Sequence, residues 1–348
     1  MFGRPPRRKA AGSRSRDDKP IEAFWNWWLA NGRASAEAGI AGGGFGGFIN
    51  EITERAKRIH PELSWELARG RHAEHALIVT AAGVPALRRE AERWYQQAPV
   101  VDAVWEYHPA RQADPEALAN MLEFEGRKVK LKDLAFDLKI DNDRDVIDVV
   151  VIHPVFGTMS AQACGSLGFL VLDWALGEDG VTRWIRGFET SGTTSSTGIP
   201  ADGLIETVEA LAARAGQSRW TLRAWERDGA VVMAMVAVPA KWVDHPLLDQ
   251  HIAVTLPFAD QSVINGLPGP DALDQLRALE DDLTARLLPT ALLVAHETSG
   301  GIRTLHLYGD SDDPHLLDIA RSITSGWPGG AVSSSPDPGW RAIRHLTG

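Results

Sequence analysis

The chain has 348 residues, 44% of them hydrophobic and 24% charged, with a formal net charge of −10 and a single cysteine. Single cores cluster near ~100–150 residues, so two domains are expected, and this composition is that of a globular chain rather than a disordered one. The lone Cys164 excludes an intramolecular disulfide and any cysteine-rich zinc site, and the acidic balance argues against general nucleic-acid binding by the folded part.

Residues 1–20 hold Arg4, Arg7, Arg8, Lys9, Arg14, Arg16 and Lys19 against Asp17 and Asp18, a surplus of +5 that leaves −15 on the remainder of the chain. A disordered basic tail is expected there, able to make only a weak electrostatic contact with nucleic acid or an anionic surface. No apolar segment follows it, so no secretory signal is expected. The longest apolar run, Ala230 to Ala240, is too short to cross a bilayer as a helix. A cytoplasmic location without membrane association is the expectation.

Residues 21–60 read as N-terminal helices around a glycine-rich hinge. Phe24, Trp25, Trp28 and Leu29 recur at helical spacing, Gly42 to Gly47 supplies a flexible joint, and a second helix runs from Phe48 to Ile59 before Pro61. Residues 61–215 then read as a first domain. Its strands are Leu63 to Ala68, His75 to Thr80, Val101 to His108, Leu131 to Leu138, Val146 to His153 and Val181 to Phe188. Its helices are Val84 to Gln97, Ser160 to Leu176 and Leu204 to Ala213.

Residues 217–348 read as a second domain. An Asp228-Gly229 turn between Arg219 to Glu226 and Ala230 to Val238 is a strong type I′ hairpin signal. There follow strand Ile252 to Leu256, helix Ala272 to Leu287, strands Ala291 to Glu297 and Ile302 to Tyr308, helix Leu316 to Ile323 and strand Ala331 to Ser334. Leu273, Leu276, Leu279, Leu283 and Leu287 form one apolar stripe on the first of these helices, with Asp271 placed to cap it. Setting aside the opening strand or hairpin of each half leaves β-α-β-β-α-β twice, with one extra strand in the first half. The fold class expected is α+β: two tandem ferredoxin-like antiparallel-sheet domains, each with helices on one face and the other face free for a partner.

From Trp220 to Trp340 the chain resembles the bacterial family called domain of unknown function 695. The likeness rests on Gly266-Leu267-Pro268, Leu279-Glu280-Asp281-Asp282-Leu283, Thr298 to Arg303, Tyr308 and Asp337-Pro338-Gly339-Trp340. Phe24 to Trp28 and Leu172 to Asp179 look like the Trp-rich module that often precedes such a domain. Members of the family sometimes adjoin a domain similar to the ribonuclease E inhibitor, which implies a regulatory neighbourhood and supplies no catalytic residues.

Motifs that suggest chemistry have plainer readings. Asp141-Asn142-Asp143-Arg144-Asp145 resembles a calcium loop, but Val146 stands where glycine is needed and Ile152 where a bidentate glutamate is needed, so a hairpin turn is expected. Ser166 has Cys164 rather than glycine two residues before it, which fails the nucleophile-elbow pattern. The glycines at 42 to 47 lack the Lys-Ser or Lys-Thr of a phosphate loop, and His72 and His75 lack a third ligand. No metal or cofactor is expected. Most of the thirteen tryptophans fall inside apolar patterns, leaving Trp225, Trp242 and Trp327 as candidates for an exposed stacking platform.

The remaining candidate site is the hairpin around Gly300-Gly301. A three-residue loop would set Glu297 opposite Arg303, and a two-residue loop would pair Thr298 with Arg303, in either case near His296, Thr304, His306 and Tyr308. The leading expectation is a non-catalytic interaction or regulatory protein with a basic protein partner, an RNA-processing factor among them. The alternative is a hydrolytic enzyme or small-molecule sensor that uses Glu297 or a histidine as base and Arg303 to stabilise developing negative charge. Convergence of these groups in one concave pocket favours the alternative, and their dispersal over a sheet disfavours it.

Overall fold

A computed structural model describes residues 18–215, 219–260 and 266–347 of the chain. The basic tail as far as residue 17 and the junction at Gly216-Gln217 lie outside the described residues. Helical turns run from Lys19 to Ala41: α1 (Lys19–Trp27) and α2 (Arg33–Ala38) are each followed by a wider π-type turn, the second of which is broken at Gly42. The expected hinge therefore begins with this break. Reversal into α3 (Phe48–Ile59) comes only where Gly42, Gly44 and Gly46 take positive φ of 97°, 75° and 47°, which side-chain-bearing residues resist.

The aromatic face of α1 is buried as its spacing predicts, except that Leu29 points outward. Phe24, Trp25 and Trp28 pack with Trp94, Trp105 and Tyr107, Trp25 stacking on Trp94 at 4.5 Å. They cover a three-stranded sheet of β1 (Ser64–Arg69), β2 (His75–Thr80) and β3 (Trp105–His108). β2 and β3 run parallel because α4 (Pro85–Gln96) carries the chain back between them.

A hairpin of β4 (Met121–Phe124) and β5 (Arg127–Lys130) precedes a second three-stranded sheet, β6 (Ala135–Asp141), β7 (Val146–Ile152) and β8 (Ile185–Ser191). α5 (Ala161–Leu176) crosses between the parallel β7 and β8, and α6 (Glu178–Trp184) and α7 (Ala201–Ala215) complete this part. Val181 to Trp184, expected to open a strand, instead belong to α6, where Val181 and Trp184 turn into the core. The single antiparallel sheet expected over 61–215 is thus replaced by the β4–β5 hairpin and two separate three-stranded sheets, each of the latter with a parallel pair imposed by a crossover helix. Asp141 and Asp145 of the calcium-like turn are engaged by arginines, Asp141 by Arg144 and Arg186, and buried Asp145 by Arg214 and Arg219.

From residue 219 onward the expected elements appear nearly as read. They are β9 (Arg219–Arg227), β10 (Ala230–Val238), β11 (Gln250–Pro257), α8 (Pro270–Leu287), β12 (Ala291–Ser299), β13 (Ile302–Gly309), α9 (Leu316–Thr324), β14 (Ala331–Pro336) and a last turn, α10 (Arg344–Thr347). The six strands form one sheet in the order β14-β11-β13-β12-β10-β9. Leu276, Leu283 and Leu287 of α8 and Leu316 and Ala320 of α9 bury against Ile252, Val254, Leu256, Leu305 and Leu307 on one face. Gly269 occupies the cap of α8, and Asp271 falls in its first turn rather than before it.

The chain divides into two compact units whose limits differ from the expected 61–215 and 217–348. One joins the described residues up to Pro109 with those from Trp220 onward, and the other is Ala110–Arg219. The physical reason lies on α4: Arg89, 3% exposed, reaches Asp249, Asp310 and Asp312 of the C-terminal segment and the carbonyl of Leu247.

Candidate functional site

The β12–β13 hairpin closes with two residues, Gly300 and Gly301, at φ 56° and 77°, so Thr298 pairs with Arg303 and Glu297 pairs with Thr304. Side chains alternate between the faces of a strand, and this register is altered once, by a bulge between Leu293 and Ala295. Leu293 lies on the helix-covered face with its partner Leu307. Without the bulge Glu297 would share that face. The extra residue puts His296 and Thr298 there instead, and sends Glu297 to the opposite face with His306 and Tyr308.

On the helix-covered face, α8 supplies a carboxylate that the hairpin alone did not suggest. Glu280 Oε1 lies 2.9 Å from Arg303 Nη1, and Glu280 Oε2 lies 3.1 Å from His296 Nδ1. Arg303 Nε donates to Thr298 Oγ1 at 2.9 Å. Burial pushes the Glu280 carboxyl up, but the hydrogen bond from His296 and the charges of His296 and Arg303 outweigh it, and its pKa is lowered overall. A carboxylate only accepts, so Nδ1 of His296 donates, and the nitrogen left for proton exchange is Nε2. The His296 ring stacks on Trp220 at 6.3 Å between centroids, 26° from parallel.

On the opposite face a second polar cluster spans the strands. His251 Nε2 and His306 Nδ1 are 3.1 Å apart with their rings stacked at 5.3 Å. His345 of α10 meets His306 edge to face and reaches Glu297 Oε2 at 3.3 Å, while Arg227 approaches Oε1 of the same carboxylate at 3.8 Å. Tyr308 donates to Asp337 Oδ2 at 2.6 Å, and Asp337 also accepts from the backbone N–H groups of Arg341 and Ala342. Burial and the Asp337 charge hold the Tyr308 hydroxyl protonated well above its ordinary range. Burial pushes His306 down to about 3, helped by the neighbouring His251, His345 and His296.

The nine residues singled out from sequence therefore fall into three places. His296, Thr298 and Arg303 meet around Glu280. Glu297, His306 and Tyr308 lie across the sheet from them, and Trp225 and Trp242 pack into the apolar cluster on that side. Trp327 is elsewhere, tucked into the helix-side core with Nε1 donating to the carbonyl of Pro257 at 2.6 Å. Among the described residues the tryptophan that does stand exposed is Trp220, which was not among the candidates. Glu280, His251, His345 and Asp337 were also missed. Only the choice of a two-residue turn over a three-residue loop could have separated Glu297 from Arg303 in advance, and Glu280 lay within the stretch that carries the family resemblance with no role read into it.

Strands β9 and β10 extend the sheet beyond the helices. Trp220 is 46% exposed, Leu222 57% and Val231 40%, and Met233 and Met235 are half-buried. These alternate positions lie on the same face as His296, since Met235 pairs with His296 across β10 and β12. The result is an apolar shelf bordered on one side by Glu280, His296 and Arg303. Among the described residues no group of three or more His, Cys, Asp or Glu side chains is arranged to hold a metal ion, and no helix is long and apolar enough to cross a membrane.

Residues 230–342 match a family described as a family of unknown function, DUF695. No curated protein and no solved structure matches the chain.

Proposed function

We propose that this chain is a non-catalytic interaction or regulatory module, and that the shelf on β9 and β10 is where it meets its partner. The observation that carries this is the exposure of Trp220, Leu222 and Val231 on one face of β9 and β10, with half-buried Met233 and Met235 on the same face. Soluble chains place scattered apolar residues on their surfaces, but a grouped patch on a rigid strand pair is the mark of a contact site. The charge of −15 outside the N-terminal tail suits a basic protein partner, and the regulatory association of the resembled family extends the proposal to RNA-processing factors. We place the protein in the cytoplasm, where a lone, buried Cys164 is unremarkable. For residues 250–336 we infer a ferredoxin-like plan, supported by the order β14-β11-β13-β12 of the four strands in a β-α-β-β-α-β succession.

The test is affinity capture from the source cell's extract with the wild-type chain and with Leu222→Asp, both verified as folded by circular dichroism. The expected result is one stoichiometric basic protein retained by the wild type and lost with the variant. Retention by both chains alike would overturn the assignment of the shelf.

A second reading is favoured by one contact. Glu280 orients His296 beside Arg303, which is an arrangement able to pass a proton and steady an anion, so a hydrolytic or sensing role would centre there rather than on Glu297. A small molecule that co-purifies with the wild type and is lost in His296→Ala would favour this reading.

A further inference from the structure

The C-terminal segment crosses the sheet face opposite α8 and α9. Trp340 stacks on Tyr308 at 4.4 Å and donates from Nε1 to the carbonyl of Leu248, His245 stacks on Trp340 at 5.7 Å, and Ile343 and Leu346 are fully buried. Asp337 anchors the start of the segment through Tyr308 and the N–H groups of Arg341 and Ala342. Beneath it lie His251 and His306, both more than nine-tenths buried, and among the described residues His306 Nε2 has no hydrogen-bond partner.

We propose that residues 337–347 form an acid-released latch over this sheet face, with the stacked pair His251 and His306 as its trigger. In the closed arrangement each imidazole is neutral: one Nδ1···Nε2 hydrogen bond is shared between them, and that bond needs one ring as acceptor. A proton added to either ring places a charge where His306 Nε2 finds no acceptor. A proton on both rings sets like charges 3.1 Å apart. Asp337 favours a proton on His251, but burial outweighs it and the ring is held neutral. On β13, Tyr308 is neutral. Asp337 is committed to Tyr308 and two backbone donors, and Glu297 of β12 to His345 and Arg227. The segment itself carries Arg341, Arg344 and His345, the adjoining loop carries His245, and His296 adds its charge through the sheet when protonated. Acid therefore adds positive charge to a buried site whose two carboxylates are already engaged, and moving the segment aside to admit water is the available relief.

The latch lies on the sheet face opposite the shelf of β9 and β10. Release would uncover Tyr308 together with Val236, Val294 and Ala295, an apolar surface closed at neutral pH. For each histidine freed from burial, the open population should rise about tenfold for each pH unit below ~6.5.

The experiment is amide hydrogen exchange on the full chain at pH 7.5, 6.5 and 5.5, each rate divided by its unstructured value at the same pH. The amides of Arg341 and Ala342 should lose about ten- to a hundredfold in protection between pH 6.5 and 5.5 while those of α8 keep theirs. In the double variant His251→Gln with His306→Gln that loss should shrink to less than threefold. Unchanged protection at 341 and 342 in the wild type, or loss there and in α8 together, would overturn the latch. So would an undiminished pH response in the double variant.

Discussion

Arg89 and Asp310 stand 221 residues apart in the chain and 2.6 Å apart in space. The same guanidinium reaches Asp249 at 3.0 Å and Asp312 at 2.6 Å, so one buried side chain gathers three carboxylates from the far end of the sequence. This is how residues before Pro109 and residues after Trp220 come to share a unit. Arg89→Met removes the charge that all three carboxylates share and should destabilise the protein by about 3 kcal/mol or more in urea unfolding, since breaking a buried ion pair leaves its partners uncompensated. Asp310→Asn should cost less, because Asp249 and Asp312 still face the arginine. Equal costs for the two variants would contradict this account.

Glu280 links α8 to the hairpin through Arg303 and His296. Replacing it by glutamine keeps the shape and deletes the charge, leaving Arg303 buried with a neutral acceptor. Glu280→Gln is expected to lower stability by about 1–3 kcal/mol. The double variant Glu280→Gln with Arg303→Met should recover part of that loss. Additive losses in this cycle would show that the pair is not coupled.

The buried histidines make stability depend on pH in a definite direction. In the unfolded chain His306 takes a proton near ~6.5, whereas in the fold it does so only at about 3. Between those values the unfolded state holds more protons, so stability is full above the unfolded value and falls as pH drops, by at most ~1.4 kcal/mol per unit for one histidine. His251, lowered by burial, acts in the same sense. Carboxylates lowered in the fold, Glu280 among them, contribute stability above ~4.3 and lose it below, so a comparison of pH 6.5 with pH 5 isolates the histidines. Urea midpoints at those two values should fall in the wild type and fall less in His306→Gln. Parallel behaviour of the two proteins would refute the assignment.

How much of this could be read from the residues follows from the range of the interactions. Elements of the C-terminal half announce themselves locally: Asp228-Gly229 and Gly300-Gly301 demand positive φ, the leucines of α8 repeat at helical spacing, and β10 alternates cleanly. Val181 and Trp184 misled because branched and aromatic residues favour strands, yet two such side chains one helical turn apart fit the face of a short helix when a core waits for them. The parallel pairs β2–β3 and β7–β8 depend on crossovers of many residues, and the reach of Arg89 to Asp310 leaves no local trace at all. At the site, proximity in sequence suggested one cluster around Glu297 and Arg303. The two-residue turn and a single bulged residue after Leu293 put them on opposite faces, with Arg303 on the helix-covered side.

The central claim is that the chain recognises its partner through the open flank of the six-stranded sheet. The most direct test is photo-crosslinking in living cells, with a photoreactive residue in place of Leu222 on the flank and, as a control, in place of exposed Ala278 on α8. A discrete protein adduct formed from position 222 and absent from position 278 is the predicted result. Adducts formed from 278 alone, or equally from both positions, would contradict it.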